Sequence, residues 1–417
     1  MKIFCGLRLF SGFETSIQGK VWQPTGAPTI YKLIEALDAT HDPVFTLVCK
    51  QTYVALGGGD QAVSLEGLRH PLHILARRWK PGSSMREHLN EAAQSWALYR
   101  ACKRAKPDLA YFTSANALAA ALVARYTHIP VVLRIMGVYP AQRQFLHGKR
   151  PAHRAFRWAY RSPFACVVCT QDGSGGEQWM NQAFPQSTPR RLLLNGVNLP
   201  AELPPMAKEL AALPADRTIV AAVGKLESDK GAMEFLTGFL DAWQTDPQGL
   251  HGLVIGTGSL SQAMRCLVTE RGAGQAVTFI DRLPHAQIPW VHRCAHIYVS
   301  LNRLGNLSNA NLEAMRAGTC MIIPRSQPDT GVDLATDELV PDDAAARIPH
   351  TDDTLALAQE ILALHRDPKR RNALRENMAQ AAASFIPTWD QRVETEMALL
   401  RSLAHGAEKA YPATSEG

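Results

Sequence analysis

Residues 296–323 read HIYVSLNRLGNLSNANLEAMRAGTCMII. The first six residues form an apolar run rich in strand formers, and turn and helix-capping residues follow at 305–309. Residues 311–317 have the composition of a helix that Gly318 closes, and 319–323 read as a second strand. The stretch therefore predicts a strand, a polar loop, a short helix and a strand, which together favour a parallel α/β sheet.

Glu313 falls in the first two turns of this predicted helix. Free backbone N–H groups and the positive end of the helix dipole favour an anionic ligand there, such as a pyrophosphate. A carboxylate beside such a ligand can accept hydrogen bonds from sugar hydroxyls. The alternative is an ordinary βαβ unit in which Glu313 only caps its own helix, and this stretch alone leaves both interpretations open.

A second stretch, residues 218–240, reads TIVAAVGKLESDKGAMEFLTGFL. It predicts a buried strand that ends at Gly224, a tight loop, and an amphipathic helix that begins near Gly231. Lys225 and Lys230 flank the loop, and two ammonium groups so placed can neutralise a diphosphate leaving group. The alternative is a pair of solvated lysines that form ion pairs with the acidic residues between them.

Together the two stretches resemble the nucleotide-sugar half of a family 4 glycosyltransferase, a retaining family with the two-domain GT-B fold. Near the N-terminus, Gly26 precedes a predicted helix where that family has a paired-glycine loop beside the donor phosphates, and Ala27 stands at the second glycine. Three weaker matches occur in the family order: Asn195–Asn198 (NGVN), Val254–Gly258 (VIGTG) and Val277–Leu283 (VTFIDRL).

The resemblance implies a role for each candidate residue. Lys225 and Lys230 would stabilise the departing diphosphate and Glu313 would hold the ribose, so these three are the expected catalytic residues. A nucleoside diphosphate sugar is the implied donor, and no metal or other cofactor is expected. The implied donor-binding residues are Gly26, Gly224, Asp281, Arg282, Leu283, Asn306, Ser308 and Asn309.

Two positions depart from the family pattern. The family commonly has a first glutamate eight residues before the one at Glu313, and this chain has Gly305 there. Recognition of the donor sugar must then pass to neighbouring side chains or amides. Met136 stands where the family often has a histidine near the acceptor, and Arg134 is the only polar side chain of that apolar run, VVLRIMG.

Length and composition agree with an α/β protein of GT-B architecture, with two doubly wound Rossmann-like domains facing a cleft. The chain has 417 residues, of which 46% are hydrophobic and 20% charged, as is ordinary for a soluble two-domain protein. We expect an acceptor-binding domain over 1–200 and a nucleotide-sugar domain over 201–385. A C-terminal helix, 386–405, is expected to cross back to the first domain, and 406–417 is expected to be a disordered tail.

Positive charge is concentrated in the first half of the chain. Residues 1–200 contain 24 Lys and Arg against 11 Asp and Glu, and the basic residues between 143 and 161 alternate with aromatic ones. A basic, aromatic helix suits an anionic membrane surface, although it also fits a solvated helix whose aromatic side chains face the core. The predicted acceptor or membrane residues are Arg134, Arg143, Lys149, Arg150, Arg154 and Arg157.

Several other functions are disfavoured. No recognised nucleic-acid-binding motif accompanies the basic charge. Cys166 and Cys169 would point to opposite faces of one strand, and the histidines lack zinc-hydrolase spacing, so no metal site is predicted. No secretory signal and no apolar run of about 18 residues is present, which predicts a cytoplasmic protein. The basic segment predicts that it is peripheral on the inner face of the plasma membrane.

The sequence thus predicts a retaining hexosyl- or N-acetylhexosaminyltransferase. It would move a sugar from a nucleoside diphosphate sugar to a lipid-linked or polysaccharide acceptor, in bacterial-type synthesis of surface polysaccharide such as lipopolysaccharide. Two alternatives remain open: a nucleotide-sugar epimerase of the same fold, and a non-catalytic partner in a polysaccharide-assembly complex.

Overall fold

The computed structural model describes residues 1–51, 56, 59–80 and 82–406. The predicted tail lies outside the described residues from 407 onward. The chain divides into two compact units. Unit 1 comprises Met1–Thr170, Glu177–Leu193 and the segment that begins at Asp390, and unit 2 comprises Gln171–Gly176 and Leu194–Trp389.

Unit 1 contains a sheet whose strands lie in the order β3-β4-β2-β1-β5-β6-β7-β8, parallel except for the β3–β4 pair. The strands are β1 (Lys2–Arg8), β2 (Asp42–Val48), β3 (Gln61–Val63), β4 (Leu72–Leu75), β5 (Leu109–Thr113), β6 (Val131–Ile135), β7 (Cys166–Thr170) and β8 (Arg190–Leu193). The accompanying helices are α1 (Glu14–Gly19), α2 (Pro28–Thr40), α3 (Ser84–Ala105), α4 (Ala117–Tyr126), α5 (Pro140–His147), α6 (Pro151–Tyr160) and α7 (Gly176–Ala183).

Unit 2 contains a fully parallel sheet in the order β11-β10-β9-β12-β13-β14. Its strands are β9 (Thr218–Val223), β10 (Leu250–Ile255), β11 (Val277–Ile280), β12 (Ile297–Val299), β13 (Met321–Pro324) and β14 (Ala346–Ile348). Its helices are α8 (Lys208–Ala211), α9 (Ala232–Thr245), α10 (Ser261–Glu270), α11 (Ile288–Cys294), α12 (Asn309–Arg316), α13 (Leu334–Leu339), α14 (Thr354–Arg366) and α15 (Pro368–Phe385). The last helix, α16 (Trp389–Ala404), belongs to unit 1 from Asp390 onward.

Each sheet has an apolar core on both faces, as expected of a doubly wound sheet. In unit 1, Cys166 packs into one core cluster and Cys169 into the other, which confirms that these two thiols point to opposite faces of β7. Both are free and buried. The predicted α/β class with two parallel-sheet domains is confirmed.

The stretch 296–323 folds as predicted, with shorter strands. Strand β12 ends at Val299, and helix α12 begins at Asn309, two residues before the predicted start. The N-cap of this helix is Ser308, whose hydroxyl accepts a hydrogen bond from the N–H of Asn311 at 3.4 Å. The sequence analysis missed several short elements, among them β3, α13 and β14, because three to six residues are too few to show a periodic pattern.

A buried ionic cluster joins α16 to the strands of unit 1. Glu396 accepts a hydrogen bond from the Tyr111 hydroxyl at 2.7 Å and pairs with Arg392 at 2.9 Å. Its Oε1 also lies 3.6 Å from Nε of Arg134, which donates to Thr170 at 2.9 Å. Arg134 is completely buried. The predicted acceptor or membrane role of Arg134 is therefore wrong for a surface contact, because its guanidinium is enclosed within unit 1.

We expect Glu396→Gln to lower the free energy of unfolding by about 3–5 kcal/mol, because two buried guanidinium groups then lose the carboxylate that pairs with them. Burial acts to raise the pKa of Glu396, but Arg134 and Arg392 outweigh it and hold that pKa below its ordinary value. The stabilisation is thus present above the ordinary carboxyl pKa and is lost as the pH falls through the lowered one. Urea unfolding at several pH values measures both effects.

Glu394→Gln is the matched control, since Glu394 is exposed and pairs only with Arg401 among the described residues. An exposed pair of this kind contributes less than about 1 kcal/mol. Equal losses in the two variants would contradict the assignment of the buried cluster.

Candidate active site

The candidate site lies in unit 2, where the strand order reverses between β9 and β12. Ligands of open parallel sheets bind at such a switch point, outside the carboxyl ends of the strands. A pocket of about 130 Å³ is found at this place. Gly224 and Lys225 line it after β9, Asn302 after β12, and Ser308 and Asn311 at the start of α12.

Both predicted lysines line this pocket. Lys225 is exposed. Lys230 donates to Oδ1 of Asn302 at 3.2 Å and lies 3.9 Å from Asp229. Among the described residues no salt bridge joins Glu227 to a lysine; its carboxylate accepts the N–H of Ser259 at 3.0 Å and interacts electrostatically with Lys225. Both lysines thus line one pocket, and the contact of Lys230 with Asp229 agrees in part with the alternative of ion-paired lysines.

Two glycine turns shape the pocket edge after β9 and β10. The N–H of Gly224 donates to the carbonyl oxygen of Ile255 at 2.9 Å. A Cβ atom on Gly256 would lie 1.8 Å from the carbonyl oxygen of Gly224, so no larger residue fits. The segment VIGTG thus brings two backbone turns together at the pocket, in the order that the sequence indicated.

Asparagine side chains hold the loop between β12 and α12. Asn302 donates to the carbonyl oxygen of Gly305 at 2.6 Å while it accepts from Lys230. Asn306 is fully buried, and its amide group contacts Ser300 and Asp333. The predicted donor-binding role of Asn306 is therefore wrong, because its polar atoms are enclosed and used within the loop.

The start of α12 contributes two further predicted residues. Ser308 lines the pocket, and its hydroxyl is already the cap acceptor of the helix. Oδ1 of Asn309 accepts from Asn195 at 2.7 Å. The sequence analysis missed Asn302 and Asn311, although the four asparagines at 302, 306, 309 and 311 were a visible signal of a hydrogen-bonded loop.

Glu313 is hydrogen-bonded by a histidine that the sequence analysis also missed. Nε2 of His285 lies 2.9 Å from Oε1 of Glu313, whose side chain is 24% exposed. This hydrogen bond raises the pKa of His285 above its ordinary value. Beneath them His292 is buried beside the Tyr298 ring, and burial lowers the pKa of His292 to about 4. Glu313 therefore contacts a side chain of another element, and the N-cap of α12 is Ser308.

The predicted donor-binding residues Asp281, Arg282 and Leu283 follow β11 and do not line the described pocket at Lys225. Asp281 pairs with Arg265 at 2.7 Å, both being exposed. Arg282 is exposed, and Leu283 is half-buried against a core cluster of unit 2. The same connection continues into His285, so it reaches the Glu313 side of α12.

In unit 1, Gly26 and Ala27 form the turn before α2, with φ values of +68° and +46°. Alanine seldom adopts a left-handed φ, because its Cβ crowds the following carbonyl oxygen. The backbone thus makes a left-handed turn before α2 with alanine, not glycine, at its second position. Met136 packs against a core cluster of unit 1, so the position after β6 supplies no titratable group.

The basic segment of unit 1 is only partly a surface. Lys149, Arg150 and Arg154 are exposed and Arg143 is half-buried. Arg157 instead donates to the carbonyl oxygens of Phe145 and Gly148 at 2.8 and 2.7 Å, which caps the end of α5. The predicted membrane role of Arg157 is wrong for this reason.

The aromatic side chains of the same segment mostly point inward. Phe145 and Phe156 stack with ring centroids 4.3 Å apart and pack on a core cluster, to which the buried Tyr160 belongs. Trp158 is 38% exposed. Aromatic insertion into a membrane from this segment can therefore involve Trp158 but not the other three.

Residues 207–381 match the family model described as "Glycosyl transferases group 1". This part of the chain is similar to that family. The matched residues contain the whole pocket at Lys225 and also His285 and Glu313. The predicted glycosyltransferase is thereby confirmed. No curated protein matches the chain significantly.

Solved structures share the fold of nearly the whole chain at low identity. Sucrose-phosphate synthase from Thermosynechococcus elongatus has 17% identity and a TM-score of 0.72, covering 97% of this chain and 100% of that one. HepE from Anabaena with bound UDP has 15% identity and a TM-score of 0.66, covering 96% and 100%. WaaG, a glycosyltransferase involved in lipopolysaccharide biosynthesis, has 11% identity and a TM-score of 0.64, covering 96% and 99%. The predicted GT-B fold is confirmed.

Two searches of the described residues gave negative results. No group of three or more His, Cys, Asp or Glu side chains in this part of the chain has the arrangement of a metal site. No described helix is long and apolar enough to cross a membrane. Metal independence and membrane association both stay predictions.

We expect the affinity for nucleoside diphosphates to fall as the pH decreases through the raised pKa of His285. A ribose hydroxyl that binds Glu313 must displace His285 from the carboxylate. Protonated His285 is held by its charge, whereas neutral His285 is displaced more easily. In the wild type, the dissociation constant of the nucleoside diphosphate should change about two- to fivefold with pH, as for an exposed ion pair. His285→Ala should remove this pH dependence. Isothermal titration of a nucleotide panel from about pH 5.5 to about pH 8.5 measures it.

His350→Ala is the control, because His350 is another exposed histidine of unit 2 and does not contact Glu313. His292 should not contribute, since its lowered pKa keeps it neutral in this range. A His285→Ala protein with the pH dependence of the wild type would show that Glu313 does not exchange His285 for the ligand.

Proposed function

We propose that the protein is a retaining glycosyltransferase that moves a hexosyl or N-acetylhexosaminyl group from a nucleoside diphosphate sugar to a lipid-linked or polysaccharide acceptor. The observation that carries the proposal is the pocket at the switch point of unit 2, which Lys225, Lys230 and the N-terminal end of α12 line together. Two ammonium groups and a helix N-terminus together provide a site for a diphosphate.

The proposed reaction needs positive charge more than it needs a base. The bond between the anomeric carbon and the diphosphate oxygen breaks, and the acceptor oxygen bonds to the same face of the sugar. The acceptor proton passes to the departing phosphate oxygen. Lys225 and Lys230 stabilise the charge on the diphosphate, so the protein requires neither a metal ion nor a histidine at Met136.

Two of the structurally similar proteins support the proposed donor and acceptor. HepE has been solved with UDP and glucose, and WaaG takes part in lipopolysaccharide biosynthesis. By analogy, we propose a surface polysaccharide or its lipid-linked precursor as the acceptor of this chain. The protein would act in the cytoplasm, on the inner face of the membrane that holds this acceptor.

We expect Lys225→Ala and Lys230→Ala each to lower acceptor-dependent release of nucleoside diphosphate by roughly tenfold to a thousandfold, because removing one preorganised donor costs about 1–4 kcal/mol of transition-state stabilisation. Purified protein is assayed with nucleotide sugars and polysaccharide precursors. Lys208→Ala is the control, since Lys208 is an exposed lysine of unit 2 that does not line the pocket.

The two alternatives give different outcomes in the same assay. A nucleotide-sugar epimerase converts its substrate without an acceptor and releases no nucleoside diphosphate in an acceptor-dependent way. A non-catalytic partner gives no turnover with any substrate. Wild-type turnover in both lysine variants would show that the diphosphate is held elsewhere.

The membrane part of the proposal rests on a layer of three helices in unit 1. Helix α4 packs against both α3 and α6. Met85 and Trp96 of α3 are 70% and 55% exposed, and the exposed Trp158 of α6 lies under the guanidinium of Arg125 at 4.8 Å. Exposed aromatic and basic side chains on one layer suit an anionic lipid surface. The basic residues Lys149, Arg150 and Arg154 would extend this surface.

We expect the triple variant Lys149→Ser, Arg150→Ser, Arg154→Ser to bind acidic liposomes more weakly, because each basic residue near such a surface contributes on the order of 1 kcal/mol. Binding should also fall with salt, since the Debye length shrinks from about 10 Å at 0.1 M to about 3 Å at 1 M. Some liposome binding should persist at high salt through the exposed aromatic side chains, and Trp96→Ser should reduce this part. Arg157 is left intact because it caps α5.

The control variant removes three exposed basic residues of unit 2, Lys208, Arg366 and Lys369. Turnover on a short soluble acceptor should stay unchanged in the triple variant, because the lysine pocket lies in unit 2. If both triple variants pelleted equally with acidic liposomes, the charge of unit 1 would have no specific role in docking.

A further inference from the structure

Residue 305 stands where the resemblance places a carboxylate, and the structure leaves no room for any side chain there. A Cβ atom on Gly305 would lie 2.3 Å from the carbonyl carbon of Gly173 and 2.5 Å from the carbonyl oxygen of Asp172. It would also lie 2.6 Å from the N–H nitrogen of Ser174. The main chain of residues 172–174 therefore occupies the position of the missing side chain.

Hydrogen bonds fix this segment in unit 2. The carbonyl oxygen of Asp172 accepts from Leu307 at 3.2 Å, and that of Gly173 accepts from Asp333 at 2.7 Å. The carboxylate of Asp333 in turn accepts two hydrogen bonds from Asn306, at 2.6 and 2.7 Å. The segment is thus part of the wall that surrounds the loop between β12 and α12.

The same segment supplies a carboxylate of its own. Oδ1 of Asp172 accepts the N–H of Ser174 at 3.0 Å, which forms a local turn and holds the side chain. The side chain of Asp172 also lies within the electrostatic range of Lys230, which lines the pocket. Burial raises the pKa of Asp172.

We propose that the Asp172 carboxylate binds a hydroxyl group of the donor sugar, in the place of the side chain that residue 305 lacks. The inference rests on the proposed function and deepens it, because it assigns the sugar rather than the nucleotide to Asp172. A carboxylate accepts hydrogen bonds at about four positions. The N–H and hydroxyl of Ser174 and the N–H of Asp172 itself use three of them, which leaves one for a sugar hydroxyl. Asp172 is a specificity-determining residue of the transfer reaction.

The test is Asp172→Asn, since the amide oxygen of asparagine can still accept the N–H of Ser174 and preserve the turn. We expect kcat/KM for the nucleotide sugar to fall about tenfold to a hundredfold, as when a hydrogen bond to a charged group is lost. The dissociation constant of the free nucleoside diphosphate should stay within about twofold of the wild-type value, since it contains no sugar.

Asp229→Asn is the matched control, because it removes the other acidic side chain near Lys230 without touching the segment 172–174. The control should keep wild-type discrimination between nucleotide sugars that differ in one hydroxyl, whereas Asp172→Asn should reduce it. Thermal unfolding of both variants should match the wild type, which excludes a folding defect.

Three outcomes overturn the inference. Wild-type kcat/KM and sugar discrimination in Asp172→Asn would show that Asp172 does not contact the sugar. Equal weakening of nucleotide and nucleotide sugar would place the carboxylate at the diphosphate instead. A wild-type protein that binds no nucleoside diphosphate at all would overturn the proposed function as well, and this result is distinct because it precedes any variant.

Discussion

The loop that carries the candidate site depends on the buried carboxylate of Asp333. It accepts hydrogen bonds from the main chain and the amide of Asn306 and from the hydroxyl of Thr336, while its own N–H binds Gly173. Burial raises the pKa of Asp333 to about 6. One side chain thus connects three segments that are distant in the sequence. Without these bonds the loop would have several buried polar groups without partners, and each costs about 1–3 kcal/mol.

Local patterns predicted much of unit 2, because they depend on neighbouring residues. The strand, cap and closing glycine of 296–323 lie within one stretch, as do the two lysines around the loop after β9. Both were found for that reason. The contact of His285 with Glu313 joins different elements, and the pairing of Arg134 with Glu396 joins positions that are far apart in the chain. The hydrophobic periodicity of the sequence does not indicate contacts between distant residues, so these pairs are found only in the folded structure.

The basic half of the chain shows how composition can mislead about surfaces. A count of Lys and Arg does not separate a guanidinium that caps a helix, as in Arg157, from one that neutralises a buried carboxylate, as in Arg134. Arginine serves both purposes well because its planar group donates several hydrogen bonds at once. Exposure of Lys149, Arg150 and Arg154 follows instead from their place around the start of α6. The segment therefore has exposed basic residues, as predicted, but Arg134 and Arg157 do not belong to that surface.

The close approach at Gly305 also constrains how this chain can vary. A glutamate introduced at 305 would overlap the main chain of residues 172–174, so the two arrangements exclude each other. In a protein with a glutamate at this position, the segment after β7 must have a different backbone conformation. Variation at 305 and variation at 171–176 should therefore occur together among related chains. A Gly305→Glu substitution without changes at 171–176 would displace the loop between β12 and α12 and would not improve binding of the sugar.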